Sequence, residues 1–344
     1  MVQLRVLVLA LLVAAPAFAQ VLPPADAGFG CFYSPGRCKY ANERAYFEDM
    51  KAAGLNTFAP QANNLPGDTV THTAAENIAR QLNTAAEVGL LDLRWPVICY
   101  SVGAQDVVDA QQYRKPGLKW PELVVQSIDE PNHTQMKYLE EYQVAAHKAG
   151  MRIGTACAGY GAIGYNQMLP WCKPEDEGKP VPGYGQWLDI WVVLVGTLTE
   201  AVRAAADKQG AETWAYLAYP VKNRFMQRWT FGLWAWRAKT RVNLVWAYID
   251  KQAGFDYSRA KETPEGPVET SSMRGLADGI VDYRVLQAVS RLKSGAAQRW
   301  LAEVEKETTL GWWPRGYVKD NQDRERPTVD MAQVRREGLR LLRQ

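Results

Sequence analysis

Short β-prone runs alternate with amphipathic stretches about eight times along this chain, and that alternation constrains the fold more than any other feature. Several of the runs are almost continuously apolar, as strands buried on both faces of a parallel sheet are. The predicted strands are Gly30–Tyr33, Thr57–Pro60, Trp95–Tyr100, Leu123–Asp129, Arg152–Cys157, Leu188–Val195, Thr213–Tyr219 and Asn243–Tyr248. Eight successive βα units predict an α/β fold of the closed (β/α)8 TIM-barrel type.

An open, doubly wound sheet is the alternative for such a pattern, and it favours a glycine-rich turn after the first strand. No such turn follows the first predicted strand. The spacing of Gly159, Gly161 and Gly164 does fit a dinucleotide-binding pattern, but it follows the fifth strand, and Pro170 soon interrupts any helix there. We therefore expect a barrel without a nucleotide or any other cofactor.

The N-terminus has the pattern of a secretory signal peptide. Arg5 precedes an apolar run over Val6–Ala15, and Ala17–Ala19 forms a small-x-small cleavage site. We expect residues 1–19 to be removed and the protein to be secreted or periplasmic, with no membrane association after cleavage.

The remaining sequence predicts one domain with a C-terminal extension. Residues 20–292 contain the eight units of the barrel, and residues 293–344 predict a polar, helical extension packed on it. Lys and Arg number 40 and Asp and Glu number 37, a balance that argues against nucleic acid as a partner. The 13 Trp and 16 Tyr favour carbohydrate, because aromatic rings stack on the apolar faces of sugars. The oligomeric state is left open.

Five cysteines in an exported protein permit two disulfides and one free thiol. Cys31 and Cys38 bracket one short loop, Cys157 and Cys172 bracket another, and we expect pairing within each loop. Cys99 lies in an apolar run and is expected to be a buried thiol. Three scattered histidines and the absence of a Cys-x-x-Cys spacing predict no metal site.

The chemistry of a barrel lies at the carboxyl ends of its strands. Asp129 and Glu130 stand at the exit of the fourth strand, with Pro131 after them. Two consecutive carboxylates at the end of a buried strand are costly to desolvate, so we expect both to be catalytic. The candidate substrate-binding residues at the other strand ends are Tyr33, Gln61, Asn63, Tyr100, Tyr216, Tyr219, Trp246 and Tyr248.

Hydrolysis of a glycosidic bond usually needs two carboxyl groups that face each other across the sugar. The seventh strand has no acid at its exit, and Glu212 lies at its entry. A substrate with a 2-acetamido group supplies its own nucleophile, the acetamide oxygen. We therefore expect Glu130 to be the acid/base, Asp129 to orient the acetamide N–H, and Tyr216 or Tyr219 to donate to its oxygen.

Two alternatives to this interpretation stay open. An ordinary two-carboxylate glycosidase could take its second acid from the insertion Pro170–Gln186, which contains Glu175, Asp176 and Glu177. A barrel that binds carbohydrate without turnover also fits the aromatic composition.

Four segments resemble glycoside hydrolase family 123-like proteins, the group with the DUF4091 barrel domain. These segments are Asp129–Pro131, Phe225–Trp236, Asn243–Tyr248 and Ser272–Leu286, within a resemblance that spans about Leu123–Leu292. The resemblance implies a barrel with retaining β-N-acetylhexosaminidase activity. In the last segment we expect Asp282 and Arg284 to form structural ion pairs.

Overall fold

The computed structural model describes residues 22–131, 138–157, 187–196, 198–218, 224–252, 255–256, 258–306, 308, 310 and 329–344. The expected signal peptide, Cys172, Tyr219 and the acids of the Pro170–Gln186 insertion lie outside these residues. No helix in the described part of the chain is long and apolar enough to cross a bilayer.

Eight parallel strands form one sheet that curves into a barrel. The strands are β1 Gly28–Tyr33, β2 Ala59–Pro60, β3 Val97–Tyr100, β4 Leu123–Gln126, β5 Arg152–Cys157, β6 Ile190–Leu194, β7 Glu212–Ala218 and β8 Val242–Trp246. They pair in the order β2-β1-β8-β7-β6-β5-β4-β3. A parallel bridge between Gln61, just after β2, and Tyr100 on β3 joins the two ends of the sheet. The predicted (β/α)8 barrel is therefore confirmed.

Helices follow the strands and cover the outside of the barrel. They are α1 Glu43–Ala52, α2 Ala74–Glu87, α3 Ala104–Ala110, α4 Leu139–Lys148, α5 Glu200–Gln209, α6 Arg224–Trp229, α7 Ala235–Ala238, α8 Ser271–Ser290, α9 Gly295–Lys306 and α10 Met331–Leu341. A π-helical turn, Thr230–Trp234, joins α6 to α7. Two hairpins follow β8, with strands β9 Lys251–Gln252, β10 Phe255–Asp256, β11 Ala260–Thr263 and β12 Gly266–Glu269.

Left-handed glycines follow several of the helices where the chain must turn back into the barrel, and two of them illustrate the point. Gly54 after α1 has φ +90° and Gly150 after α4 has φ +71°, values that L side chains rarely adopt. This left-handed residue closes the helix and redirects the chain toward the next strand. The helix–glycine–strand pattern visible in the sequence therefore has its physical basis here.

Strand alternation divides the apolar side chains into two layers. Phe32 on β1 belongs to the cluster that fills the barrel interior. Its neighbours Cys31 and Tyr33 belong to the larger cluster between the sheet and the helices. Because successive side chains of a strand point to opposite faces, residues that are adjacent in sequence serve different layers.

The segment around Asp282 on α8 packs the last helices against the barrel. Asp282 is fully buried, and it accepts hydrogen bonds from Arg228 Nε at 2.5 Å and from Arg335 Nε. Arg284 donates to the backbone carbonyl oxygens of Pro23, at 2.8 Å, and Leu22. The ion pairs expected for Asp282 are present, whereas the hydrogen bonds of Arg284 tie the start of the described chain to α8.

The cysteines correct one expectation. Cys31, Cys38 and Cys99 are all buried free thiols, so the expected Cys31–Cys38 disulfide is wrong and the expected thiol at Cys99 is confirmed. Cys31 faces the helix layer from within β1. Cys38 follows the short turn Pro35–Arg37, and its Sγ donates to the carbonyl oxygen of Ser34 at 3.6 Å.

Candidate active site

The exit of β4 holds the carboxylate of Asp129 by two hydrogen bonds. Gln126, the last residue of β4, donates from Nε2 to Asp129 Oδ1 at 2.9 Å. Tyr100, the last residue of β3, donates from Oη to Asp129 Oδ2 at 2.6 Å. Tyr100 and Gln126 are direct partners in the β3–β4 ladder, so the register of the sheet positions both donors.

Glu130 is held from another part of the barrel. The Tyr216 hydroxyl, which reaches in from β7, donates to Glu130 Oε1. The backbone at Glu130 has φ +40°, in the left-handed region that a non-glycine residue adopts at a cost of about 1 kcal/mol or more. Such backbone conformations cluster at functional sites, because the surrounding structure must hold them in place.

Both carboxyl groups are partly buried, and their protonation equilibria change accordingly. Burial, followed by the adjacent negative charge of Asp129, raises the pKa of Glu130 from 4.5 to about 7, although the hydrogen bond from Tyr216 opposes the rise. Burial also raises the pKa of Asp129, and the hydrogen bonds from Tyr100 and Gln126 oppose that rise. At neutral pH Glu130 can therefore act both as a proton donor and as a base.

Aromatic rings line a pocket beside this pair. The ring centroid of Phe32 lies 5.4 Å from that of Tyr100 and 5.1 Å from that of Trp246, and the Tyr100 and Trp246 centroids are 5.5 Å apart. Gln61 lines the same pocket. Asn63 does not line the pocket itself, but its Nδ2 donates to Oγ of the lining residue Ser34 at 3.0 Å.

Tyr33 and Tyr248 were both expected to bind substrate; Tyr33 is among the residues that line this pocket, and Tyr248 is not. They pack in the layer between sheet and helices, where Tyr33 contacts Phe47 with ring centroids 5.1 Å apart. The Tyr248 hydroxyl donates to Asp49 Oδ2 on α1 at 2.8 Å. The strand period explains the orientation of the Tyr33 ring, because the odd-numbered positions of β1 point away from the barrel axis.

Glu212 lies at the opposite end of the barrel from Glu130. Its carboxylate accepts hydrogen bonds from Arg152 Nη1 at 2.9 Å, at the start of β5, and from Arg241 Nη1 at 2.5 Å, just before β8. Tyr216 lies on the inward face of β7, two residues before the end of the strand. The inward face of β7 therefore presents a hydroxyl group near the exit of the strand.

Two residues of the site were missed by the sequence interpretation. Gln126 is a polar residue at the end of an apolar strand, a signal that could have marked it as a partner of Asp129. Arg37 lines the aromatic pocket from the turn after β1, where no motif singles it out. No group of three or more potential metal ligands occurs among the residues whose placement is described.

Comparisons with known proteins give distant structural matches. No family model and no curated protein matches the chain. A Bacteroidetes-affiliated GH5 cellulase aligns at 11% identity, covering 81% of this chain and 95% of the cellulase, with a TM-score of 0.44. A family 30 subfamily 8 xylanase from Clostridium acetobutylicum aligns at 11% identity over 74% of this chain and 71% of its own, with a TM-score of 0.46. The catalytic domain of a mannanase from Streptomyces sp. SirexAA-E aligns at 12% identity over 75% and 86%, with a TM-score of 0.48.

Proposed function

We propose that this protein is a glycoside hydrolase in which Glu130 transfers a proton to the leaving glycosidic oxygen. The observation that carries the proposal is the Glu130 carboxyl itself, which lies at a strand exit beside an aromatic pocket, with its pKa raised to about 7. A donor with a pKa near the working pH is the acid that glycosidic cleavage requires.

The mechanism proposed for this acid is substrate-assisted. The acetamide oxygen of a 2-acetamido sugar bonds to the anomeric carbon as the leaving oxygen takes the Glu130 proton. An oxazolinium ring results, and Glu130 then removes a proton from the water that opens it. Asp129 accepts side-chain hydrogen bonds from Tyr100 and Gln126 and a backbone hydrogen bond from Glu130; a carboxylate has about four acceptor sites, so it can also accept the acetamide N–H.

Tyr216 supports this assignment from β7. Its hydroxyl contacts Glu130 and is placed to donate to the acetamide oxygen when a substrate separates the two side chains. The resemblance to the family 123-like proteins implies the same chemistry and stays a prediction, as does export through residues 1–19.

The test is an assay of aryl N-acetyl-galactosaminide and aryl N-acetyl-glucosaminide hydrolysis by wild type and Glu130→Gln. Glu122→Gln is a matched control, because Glu122 precedes the same strand at its other end and pairs with Arg152 at 2.6 Å. We expect Glu130→Gln to lose activity by about 100-fold or more and Glu122→Gln to retain it. Equal rates in wild type and Glu130→Gln would contradict the proposal.

Further substrates separate the alternatives. Hydrolysis of glycosides that lack the acetamide group, at rates comparable with those of acetamido sugars, would select a two-carboxylate mechanism. Sugar binding without turnover of any glycoside, unchanged in Glu130→Gln, would select a non-catalytic binding protein.

A further inference from the structure

The turn that carries Asp129 and Glu130 is bonded to the next strand of the barrel by a side chain. The hydroxyl of Thr155, within β5, donates to the backbone carbonyl oxygen of Ile128. Thr155 is 1% exposed and is paired with Trp191 of β6 in the sheet, so the donor is itself fixed and shielded from water. The peptide group that leads into Asp129 is therefore attached to the rigid part of the barrel.

This hydroxyl acts at the point where the backbone pairing of the two strands stops. The ladder between β4 and β5 has its last pair at Val125 and Ile153. Strand β4 ends one residue later, and Ile128 lies two residues beyond that end. The side chain of Thr155 therefore supplies a bond to the turn that the ladder of the sheet does not.

Thr155 holds the turn from the face of the sheet that is remote from the pocket. Ile153, two residues earlier on β5, belongs to the layer between the sheet and the helices. Ala156, the next residue, belongs to the cluster that fills the barrel interior. Because successive side chains of a strand alternate between faces, Thr155 lies on the outer face and would not touch a ligand bound at the inner one.

The turn needs such a bond because its backbone is strained. Glu130 has φ +40°, a conformation that a non-glycine residue keeps only where the surrounding structure holds it. The side-chain hydrogen bonds to Asp129 and Glu130 hold the two carboxyl groups, and they do not act on the main chain before them. The bond to the Ile128 carbonyl fixes that peptide and limits the rotation by which the turn would relax.

We propose that Thr155 is a positioning residue that, through the carbonyl of Ile128, holds the Glu130 carboxyl in place for proton transfer. The inference rests on the proposed function for the reaction that this carboxyl performs. It is independent of which sugar is bound, because Thr155 acts from the outer face of the sheet. Loss of its hydroxyl should therefore impair the chemical step and leave substrate binding nearly unchanged.

A matched pair of valine variants separates positioning from general loss of stability. Thr155→Val removes the hydroxyl and keeps the shape of the side chain, whereas Thr155→Ser keeps the hydroxyl. Thr57→Val is the control, because Thr57 is also 1% exposed and its hydroxyl donates to the backbone carbonyl oxygen of Pro96 at 2.9 Å. That carbonyl precedes β3, at the opposite end of the barrel from Glu130. We expect both valine variants to unfold at similar urea concentrations.

Steady-state kinetics with an aryl N-acetylhexosaminide give the first readout. We expect kcat of Thr155→Val to fall about 10- to 100-fold while KM stays within about threefold, because a displacement of about 1 Å costs that much in rate. In Thr155→Ser and Thr57→Val, kcat should stay within about threefold of the wild-type value.

The second readout requires no activity. Protein labelled with carbon-13 at the glutamate carboxyl carbons is titrated by NMR, and the Glu130 resonance is the one absent from Glu130→Gln. In wild type its midpoint should lie at about pH 7, because burial raises the pKa of this carboxyl to about 7. A relaxed turn exposes the carboxyl to water, so Thr155→Val should move the midpoint to about pH 6 or lower. Thr155→Ser and Thr57→Val should leave it in place.

The outcomes distinguish this inference from the proposed function. An unchanged Glu130 midpoint in Thr155→Val, an equal change in Thr57→Val, or a change in Thr155→Ser as large as in Thr155→Val would overturn the positioning role. If Thr155→Val does not fold, Thr155→Ala and Thr57→Ala replace the two valine variants and the same outcomes apply. Full activity of Glu130→Gln would contradict the proposed function, whereas a lowered midpoint in Thr155→Val would still support the positioning role.

Discussion

The hydroxyl of Tyr100 lies 2.6 Å from Asp129 Oδ2, and this contact links the aromatic pocket to the carboxylate pair. The hydrogen bond lowers the pKa of Asp129, against the larger effect of burial, which raises it. Asp129 must be ionised to orient an acetamide N–H, so the proposed mechanism depends on this contact.

Tyr100→Phe keeps the ring in the pocket wall and removes its bond to Asp129. We expect kcat/KM for an acetamido glycoside to fall about 10- to 150-fold, because a hydrogen bond to a charged group contributes about 1.5–3 kcal/mol. Tyr113→Phe is the control, since Tyr113 is 47% exposed and remote from the pocket. Equal rates in the two variants would show that the contact has no part in catalysis.

The pH dependence of kcat/KM reports the protonation of Glu130. The acid must carry its proton, so the rate should fall as pH rises through about 7. Asp129→Asn removes the charge that raises this pKa and should move the fall to lower pH. Tyr216→Phe removes the bond that lowers it and should move the fall to higher pH. If both variants shifted the fall in kcat/KM in the same direction, or if neither shifted it, the assignment of this fall to Glu130 would be contradicted.

Glu130 should also make folding stability depend on pH. Its folded pKa of about 7 exceeds the ordinary value of 4.5, so its contribution is full below about pH 4.5 and is lost as pH rises through 7. Glu130→Gln removes that loss. In urea denaturation, the free energy of unfolding of Glu130→Gln minus that of wild type should increase by about 1–2 kcal/mol between about pH 5 and about pH 8. This figure is already reduced for the residual solvent exposure of the Glu130 carboxyl. A relative free energy independent of pH would count against a raised pKa.

Gly275 lets α8 approach α6 closely. A Cβ at this position would lie 2.3 Å from the carbonyl oxygen of Arg224, so Gly275→Ala forces the two helices apart. We expect the free energy of unfolding to fall by about 1–3 kcal/mol, measured by chemical denaturation. Gly295→Ala is the control, because its Cβ would approach nothing closer than Arg299 Nη1 at 3.4 Å. A similar loss in both variants would mean that close packing is not the cause.

The sequence was sufficient for the barrel because its signals are local. Strand β5 was predicted with the bounds that it has, Arg152–Cys157, whereas the strand predicted to end at Asp129 ends at Gln126. The apolar run defines where a strand is buried, but the exit turn that ends it depends on hydrogen bonds to Tyr100 and Tyr216 from other strands. Tyr100 and Tyr216 are remote in sequence from Asp129 and Glu130, so local sequence patterns could not predict these hydrogen bonds.

The face on which a side chain lies at a strand end is harder to predict than the strand itself. One step along β1 moves a side chain from the barrel interior to the helix layer, where the Tyr33 ring packs, and Tyr248 lies beyond the end of β8 and donates to Asp49. Cys31 and Cys38 lie in the same layer between sheet and helices and are nevertheless both free thiols, so closeness in sequence was not sufficient to predict a disulfide. No sequence pattern marks Asp250, and only the structure shows that it accepts hydrogen bonds from Arg37 and Trp246.

The most direct test of Glu130 as proton donor compares two leaving groups in Glu130→Gln. Dinitrophenolate departs without protonation, whereas an alkyl alcohol must be protonated as the bond breaks. The account requires kcat/KM of the variant to stay near the wild-type value for a dinitrophenyl N-acetylhexosaminide and to fall at least about 100-fold for the alkyl glycoside. An equal loss for both leaving groups, or no loss for either, would contradict it.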